Sequence, residues 1–410
     1  MTTTRSMLSP LATCTAALCL STFTTTAAIA QDDRPVRLGF LTVHSGALAA
    51  GGQQMQDGLD FCLEERNYTM AGRTIEVTVG DTAGKPETTL TRARELVQRN
   101  DVDVIIGPLA AFEALAIDEY IANAEVPIIS PSAGAEDMTQ RNPNPWFVRA
   151  VGTSAQSAHA LGEYAANELG YKRIAMISDD FAFGHELSAG FQRVFEDNGG
   201  EVVQKLWPPL NVADYGSYIA SIDRDVDAVF AGFAGANGVR FLSQYQSYGL
   251  KDQVPVLGHM TTVDEGILHR MGAEAEGVIS SGWYTAGIDT EENREHAEAF
   301  YEQYEYDPGY YVNGAYTACM FLENALEAVD GNIEDKTAFM AALRDVHLTS
   351  SPRGEIRIDE LGNPIMPIYI RQVERKDGRL KNVVLHRYDD VSQFWTYDKE
   401  WFLDQPVYSR

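Results

Sequence analysis

Two stretches of this chain have the residue types to hold a small anion. Val104-Ile105-Ile106-Gly107-Pro108-Leu109-Ala110-Ala111-Phe112 and Val126-Pro127-Ile128-Ile129-Ser130-Pro131-Ser132-Ala133-Gly134-Ala135 each run from β-type apolar residues through small ones into a helical pattern. Such a strand-to-helix turn brings unpaired backbone N–H groups and the positive end of a helix dipole to the carboxyl edge of a parallel sheet, where anions of ligands sit. The hydroxyl of Ser132 adds a donor, although Ser130-Pro131-Ser132 serves equally well as a plain helix cap.

Residues for covalent or acid–base chemistry are not grouped in the same way. The histidines at 44, 159, 185, 259, 269, 296, 347 and 386 never fall two within one helical turn, so a zinc-hydrolase helix is excluded, and no Cys-x-x-Cys pair occurs. Gly232-Phe233-Ala234-Gly235-Ala236-Asn237-Gly238 has the wrong glycine spacing for a dinucleotide fingerprint. No Gly-x-Ser-x-Gly elbow is present. The pattern is one of capture without reaction, and we expect no enzyme, no metal and no cofactor.

The elements that must position these turns read as α/β. Val36–Leu41 is a short apolar run, and Met55, Leu59, Cys62 and Leu63 follow at helical spacing. Alternation at Ile75, Val77 and Val79 gives a strand, and Leu90, Ala93 and Val97 give the next helix. A second set begins near Val151 and alternates helix and strand to Val254–Leu257. After Gly277–Ser281 the pattern turns helical over 293–305, 312–329 and 334–346, then ends in strands at 355–358, 365–373 and 380–386. Helices arriving late without strands of their own fit best if the chain returns to the first lobe, with the terminal strands capping the second. The 410 residues exceed what one core holds.

The first 30 residues form a leader with one basic residue, Arg5, an apolar region and a small-x-small ending at Ala28-Ile29-Ala30. It predicts export, with Gln31 as the mature N-terminus and a periplasmic location. Cys14 and Cys19 lie in the leader, preceded by Thr13 and Leu18 rather than by the small residue that lipid attachment favours. The net charge of −27 argues against nucleic acid or an anionic membrane as partner. Cys62 and Cys319 remain on two predicted helices, where they either pair in an oxidising compartment or bury as small apolar side chains.

The order of signals resembles the type I periplasmic solute-binding proteins of ABC importers, the leucine/isoleucine/valine-binding branch. The resemblance begins at Leu38-Gly39-Phe40-Leu41-Thr42-Val43-His44-Ser45-Gly46-Ala47-Leu48-Ala49. It continues through Gly72-Arg73, Asp81-Thr82-Ala83-Gly84, Ile106-Gly107-Pro108, Ile129-Ser130-Pro131-Ser132-Ala133 and Asp179-Asp180-Phe181-Ala182-Phe183-Gly184 to Gly354-Glu355-Ile356-Arg357-Ile358-Asp359. It implies two doubly wound, Rossmann-like α/β lobes joined by three hinge crossings, closing on a ligand. The implied bounds are a signal peptide at 1–30, a first lobe of 31–149 plus 283–350, and a second of 150–282 plus 351–410. The implied partners are a membrane permease and an ATPase, with the binding protein itself a monomer.

Pocket positions carry over one at a time. The serine that holds a ligand carboxylate at the first turn falls at Ala111 or Phe112, so that hydroxyl is missing. The second turn keeps its backbone donors at Ala133 and at Gly134 or Ala135, beside Ser132. The acid that receives an α-ammonium falls at Met260, and a buried ammonium without a carboxylate is costly. Asp264 takes that role only if the loop is shifted. A position that often holds an aromatic falls at Gly51, which implies room for a wider ligand. Phe112, Phe181, Phe183 and Phe233 supply apolar walls or ordinary core. His44 and His259, with Ser45, lie on cleft-edge loops within reach of a ligand carboxylate or phenol. Together these departures imply a small aromatic or otherwise hydrophobic carboxylate. The tail, Asp390-Val391-Ser392-Gln393-Phe394-Trp395 and Pro406–Arg410, resembles that of members assigned to aromatic-acid uptake. The alternatives are a branched-chain amino acid or amide binder of the same family, and a ligand-sensing receptor protein.

Overall fold

A mostly parallel sheet carries both turns on its neighbouring strands, and a second, mixed sheet follows it in the chain. The computed structural model describes residues 34–406 together with 1–4 and 7, so the leader, its Gln31 junction and the end at 407–410 lie outside the described residues. The first sheet contains β1 (Val36–Thr42), β2 (Thr69–Met70), β3 (Arg73–Asp81), β4 (Val104–Ile106), β5 (Ile128–Ser130) and β6 (Phe147–Arg149), in the order β2-β3-β1-β4-β5-β6. All its neighbours are parallel except β2 and β3. The strand order reverses between β1 and β4, so the loops after β1, β4 and β5 open on one crevice. Helices α1 (Ala49–Glu65), α2 (Pro86–Gln98) and α3 (Ala111–Ala124) flank this sheet.

The second sheet is built from β7 (Arg173–Ser178), β8 (Glu201–Leu206), β9 (Ala228–Gly232), β10 (Val256–His259), β11 (Ile279–Gly282), β12 (His347–Leu348), β13 (Ile356–Ile358), β14 (Pro364–Lys376) and β15 (Arg379–Val391). Its order is β12-β13-β14-β11-β10-β9-β7-β8, with β15 paired to β14. Between its strands run α4 (Gln156–Asn167), α5 (Ala182–Asp197), α6 (Gly216–Ser221), α7 (Ala236–Ser247) and the short α8 (Glu265–Leu268). The chain passes between the sheets after β6, after β11 and on reaching β12. These are the three hinge crossings.

Helices α9 (Glu291–Tyr304), α10 (Tyr310–Ala328) and α11 (Lys336–Arg344) have no strands of their own and return to the first sheet. Phe300 of α9 packs edge-on against Phe61 of α1, ring centroids 5.4 Å apart. Gly58 lets the backbone of α1 approach the carbonyl of Val312, which no Cβ could do. A last helix, α12 (Lys399–Asp404), follows β15.

Cys62 of α1 and Cys319 of α10 are joined in a disulfide, which resolves the choice that the sequence left open. The bond closes a loop spanning 257 residues of sequence and ties the returning helix to the first. Replacing both cysteines by serine should lower the unfolding free energy by about 2–4 kcal/mol. A denaturant midpoint unchanged by the double replacement, and by reductant on the wild type, would show that the helix packing alone holds this seam.

Candidate functional site

The second turn is held by its carbonyls. Tyr310 at the start of α10 donates its hydroxyl to the Ser132 carbonyl at 2.6 Å. Arg149 at the end of β6 donates Nε to the Ala133 carbonyl at 3.0 Å and Nη2 to that of Ala135. Ser154 donates both its N–H and its hydroxyl to the Gly134 carbonyl, at 2.9 and 3.1 Å. In a planar trans peptide the N–H points opposite to the C=O. Pinning the Ala133 carbonyl on Arg149 therefore turns the Gly134 N–H away from the guanidinium. The N–H groups of Ala133, Gly134 and Ala135 bond to no acceptor among the described residues. Gly134 is required because a Cβ there would meet Ser154 Oγ at 2.8 Å.

A cavity of about 30 Å³ lies beside this turn. The first sheet's loops contribute Leu48, Leu109, Ala110, Ala111, Ser132 and Gly134 to its wall. Phe181, Phe183, Ala234 and Thr261 face them from the second, and Tyr310 and Tyr311 close it from α10. The space holds only one or two waters, so a ring enters by parting of the lobes. The Tyr310 hydroxyl is engaged with Ser132, and that of Thr261 donates to the Phe233 carbonyl at 2.7 Å. The hydroxyls of Ser132 and Tyr311 make no hydrogen bond among the described residues, and no Asp or Glu lines the cavity.

Two guanidiniums lie beneath. Arg149 is fully buried, and its Nη1 donates to Thr139 Oγ1 and Asn363 Oδ1 at 2.7 and 2.6 Å. Arg353, also fully buried, donates Nη2 to the Ala150 carbonyl and lies over Trp283, 4.5 Å from the ring centroid. Its Nε and Nη1 have no partner among the described residues. Burial lowers Arg149 to about 10 and Arg353 to about 9, which leaves both charged at neutral pH. Neither forms an ion pair among the described residues. The two guanidiniums bring positive charge to this region, and the acids Glu186, Asp359 and Glu136 lie near Arg149 as well.

Five of the residues singled out in the sequence line the cavity: Ala111, Ser132, Gly134, Phe181 and Phe183. Ala133 is buried in the same turn, and Phe112 packs edge-on behind Phe181, 5.6 Å between centroids. The others sit elsewhere. His44 and Ser45 are exposed and bonded to the Asp81 carboxylate, His44 through its backbone N–H at 3.0 Å. Phe233 belongs to the second lobe's core, 4.7 Å from Phe241. Gly51 opens no room for a ligand, because the Tyr311 ring fills the space and a Cβ would meet its Cζ at 2.8 Å. Met260 is fully buried against Gly282, and Thr261 takes its expected place on the wall. His259 packs its ring on Phe183 and Tyr310 outside the lining, and burial with the charge of Arg371 lowers it to about 3, so it is neutral.

Asp264 does not line the cavity. Its carboxylate caps α10 by accepting from the Tyr310 N–H at 2.7 Å and caps α8 through Gly266. Leu48, Leu109, Ala110, Ala234, Thr261, Tyr310 and Tyr311 line the cavity without having been singled out as site residues. Only the tyrosines carried a signal, at a helix start directly after Pro308-Gly309.

A larger groove of about 420 Å³ lies between α9 and β15, lined by Arg294, Glu298, Tyr301, Asp307, Arg379 and Lys381 among others. It presents side chains of both signs and neither of the backbone turns, so the smaller cavity is the candidate site.

Two α/β lobes with three crossings, and a cavity closed by residues of both, define a hinge-closing solute-binding protein. The chain belongs to the periplasmic binding protein family, whose sequence profile matches residues 35–379. It is 26% identical to the Leu/Ile/Val-binding protein homolog 6 of Brucella melitensis biotype 1 over 367 residues, 87% of this chain and 92% of the relative. An ABC transporter substrate-binding protein from Sphaerobacter thermophilus is 34% identical with a TM-score of 0.83, over 88% of this chain and 99% of that one. A solute-binding protein of an ABC transporter from Rhodopseudomonas palustris BisB5, in complex with 3,4-dihydroxybenzoic acid, is 31% identical with a TM-score of 0.83, over 88% and 98%.

Proposed function

We propose that this protein captures a small aromatic carboxylate between its lobes, outside the cytoplasm, and delivers it to a membrane permease driven by a separate ATPase. It acts as a monomer and carries out no reaction on the ligand. The observation that carries the reading is the wall of the cavity: free backbone donors and a hydroxyl at one turn, aromatic rings around it, and no carboxylate. The ligand anion takes the N–H groups of the 133–135 turn and the Ser132 hydroxyl, over the charges of Arg149 and Arg353. Its ring lies among Phe181, Phe183 and Tyr311. The bound acid in the Rhodopseudomonas palustris relative supports the class of ligand.

Among the described residues no helix is long and apolar enough to cross a membrane. The leader, read as a signal peptide, supports a periplasmic location. Branched-chain amino acids are the competing ligands, suggested by the name of the Brucella relative. They bring an ammonium that the wall would leave unpaired, a cost of several kcal/mol.

Thermal shift and calorimetry on benzoate, 4-hydroxybenzoate, 3,4-dihydroxybenzoate, leucine and isoleucine test this directly. A ligand bound by the folded state alone raises the melting point in step with its affinity. Aromatic acids should stabilise the protein and the amino acids should not; the reverse would refute the reading. Ser132→Ala should weaken aromatic-acid binding by roughly 0.5–2 kcal/mol. Unchanged affinity would reduce Ser132 to a cap.

A further inference from the structure

We propose that Asp264 is a positioning residue that completes the cavity wall only when the lobes close, by lending α10 its cap from the opposite lobe. The inference rests on the reading of the cleft as the ligand site and adds a contact that holds it shut. Asp264 moves with the second lobe. On one side of it the Val263 carbonyl accepts from Asn382 Nδ2 of β15 at 2.9 Å, and on the other Glu265 is held by Arg371 of β14 at 2.8 Å. Helix α10 moves with the first lobe, fixed by its disulfide to α1 and by the Tyr310 hydroxyl on the Ser132 carbonyl.

The first N–H groups of a helix have no partner within it. Gly309, at the N-cap of α10, brings no side chain to meet them. Instead the Tyr310 N–H donates to the Asp264 carboxylate, 2.7 Å from one oxygen and 3.3 Å from the other, in a residue only 1% exposed. The carboxylate also faces the positive end of the helix dipole. Gly309 makes this approach possible. A Cβ there would lie 2.7 Å from Asp264 Cγ, and the three atoms nearest to it all belong to that carboxylate group. The backbone of Gly309 is extended, with φ −127° and ψ −151°, so the glycine serves the contact and not a turn. A second glycine does the same in reverse. Gly266 of α8, in the second lobe, receives Gln54 of α1, and a Cβ there would lie 2.6 Å from Gln54 Cδ. Each lobe thus presents a glycine to a buried polar side chain of the other.

The consequence falls on the ligand. Tyr310 and Tyr311 begin α10, and both line the cavity. When the lobes part, Asp264 leaves with the second sheet and this turn loses its cap. When they close, the same bond fixes the turn and favours the closed form. An interaction made only in the closed form strengthens the binding of a ligand enclosed there and adds nothing to the stability of the open, unliganded protein. Because it resists opening, its loss appears in dissociation more than in association.

Stopped-flow kinetics and calorimetry with 4-hydroxybenzoate test the assignment. Gly309→Ala and Asp264→Ala should each weaken binding about 10- to 100-fold, the worth of one charge-assisted hydrogen bond, chiefly through faster dissociation. Gly309→Ala displaces the carboxylate from a position outside the cavity wall, and its unliganded melting point should stay within about 2 °C of the wild type. Asp264→Asn keeps an acceptor oxygen for the Tyr310 N–H and should recover part of the affinity lost in Asp264→Ala. Both alanine changes remove one bond, so their losses should not add in the double variant. Wild-type dissociation rates in both single alanine variants overturn the proposal. So does an unliganded melting point lowered by more than about 5 °C in Gly309→Ala, because the cap would then be made without closure on a ligand. If isoleucine binds and no aromatic acid does, the ligand class is wrong. The same rates measured with isoleucine then decide the role of Asp264 separately.

Discussion

Arg149→Met should abolish aromatic-acid binding and lower the unfolding free energy by about 3–5 kcal/mol. The side chain reaches four buried acceptors: the carbonyls of Ala133 and Ala135, Thr139 Oγ1 and Asn363 Oδ1. Methionine fills much of the same volume and offers none of them a hydrogen. An acceptor left unpaired in the interior costs about 1–3 kcal/mol, and the four share one site, so their costs overlap. The effect on binding exceeds the effect on stability. With the Ala133 carbonyl released, its peptide plane is free to rotate, and the Gly134 N–H loses its fixed direction. The positive charge under the turn is lost as well. Denaturant unfolding gives the first number and calorimetry with 3,4-dihydroxybenzoate the second. An Arg149→Met protein that binds normally would show that the turn is held by Tyr310 and Ser154 without the guanidinium.

The turn itself was legible in the sequence because small residues after a β-type run have few alternatives at a sheet edge. Ser130-Pro131-Ser132-Ala133-Gly134 reads as a strand end and a tight turn from composition alone, and the two-lobed fold follows from the alternation of elements. The support of the turn was not legible. Arg149 precedes a hinge crossing and Arg353 follows another, and nothing in their neighbours distinguishes a buried guanidinium from a surface one. Tyr310 and Tyr311 reach the cavity from a helix some 180 residues away in sequence, placed by the return of α10 to the first lobe. Register explains the misplacement of Met260. The residue after β10 begins a tight helical turn, and a shift of one position there exchanges the core for the wall, so Thr261 faces the cavity. Gly51 misled for a different reason. A glycine leaves space, and the sequence does not say which neighbour fills it.

Arg371→Met should destabilise the second lobe by about 3–5 kcal/mol, with Glu265→Gln in the same chain restoring part of the loss. Arg371 lies on β14 with no exposed surface, and its Nη1 contacts both oxygens of the buried Glu265 at 2.8 and 3.0 Å. Its other bonds go to Ser280 of β11, to the Tyr284 carbonyl on the second hinge crossing and to the Met260 carbonyl beside the cavity. One side chain thus joins the sheet, a hinge crossing and the turn that presents Thr261. Removing it strands a carboxylate in the interior beside that of Asp264, which makes breaking the pair worse than never having it. The double replacement removes the orphaned charge but leaves the carbonyls of Met260 and Tyr284 without a donor, so recovery should be incomplete. Because these two carbonyls set the hinge and the wall, the double variant should also bind the ligand more weakly than its stability alone requires. Unfolding curves of the two single and one double variant form the cycle. A double variant no more stable than Arg371→Met would show that the lost carbonyl bonds, not the stranded carboxylate, account for the damage.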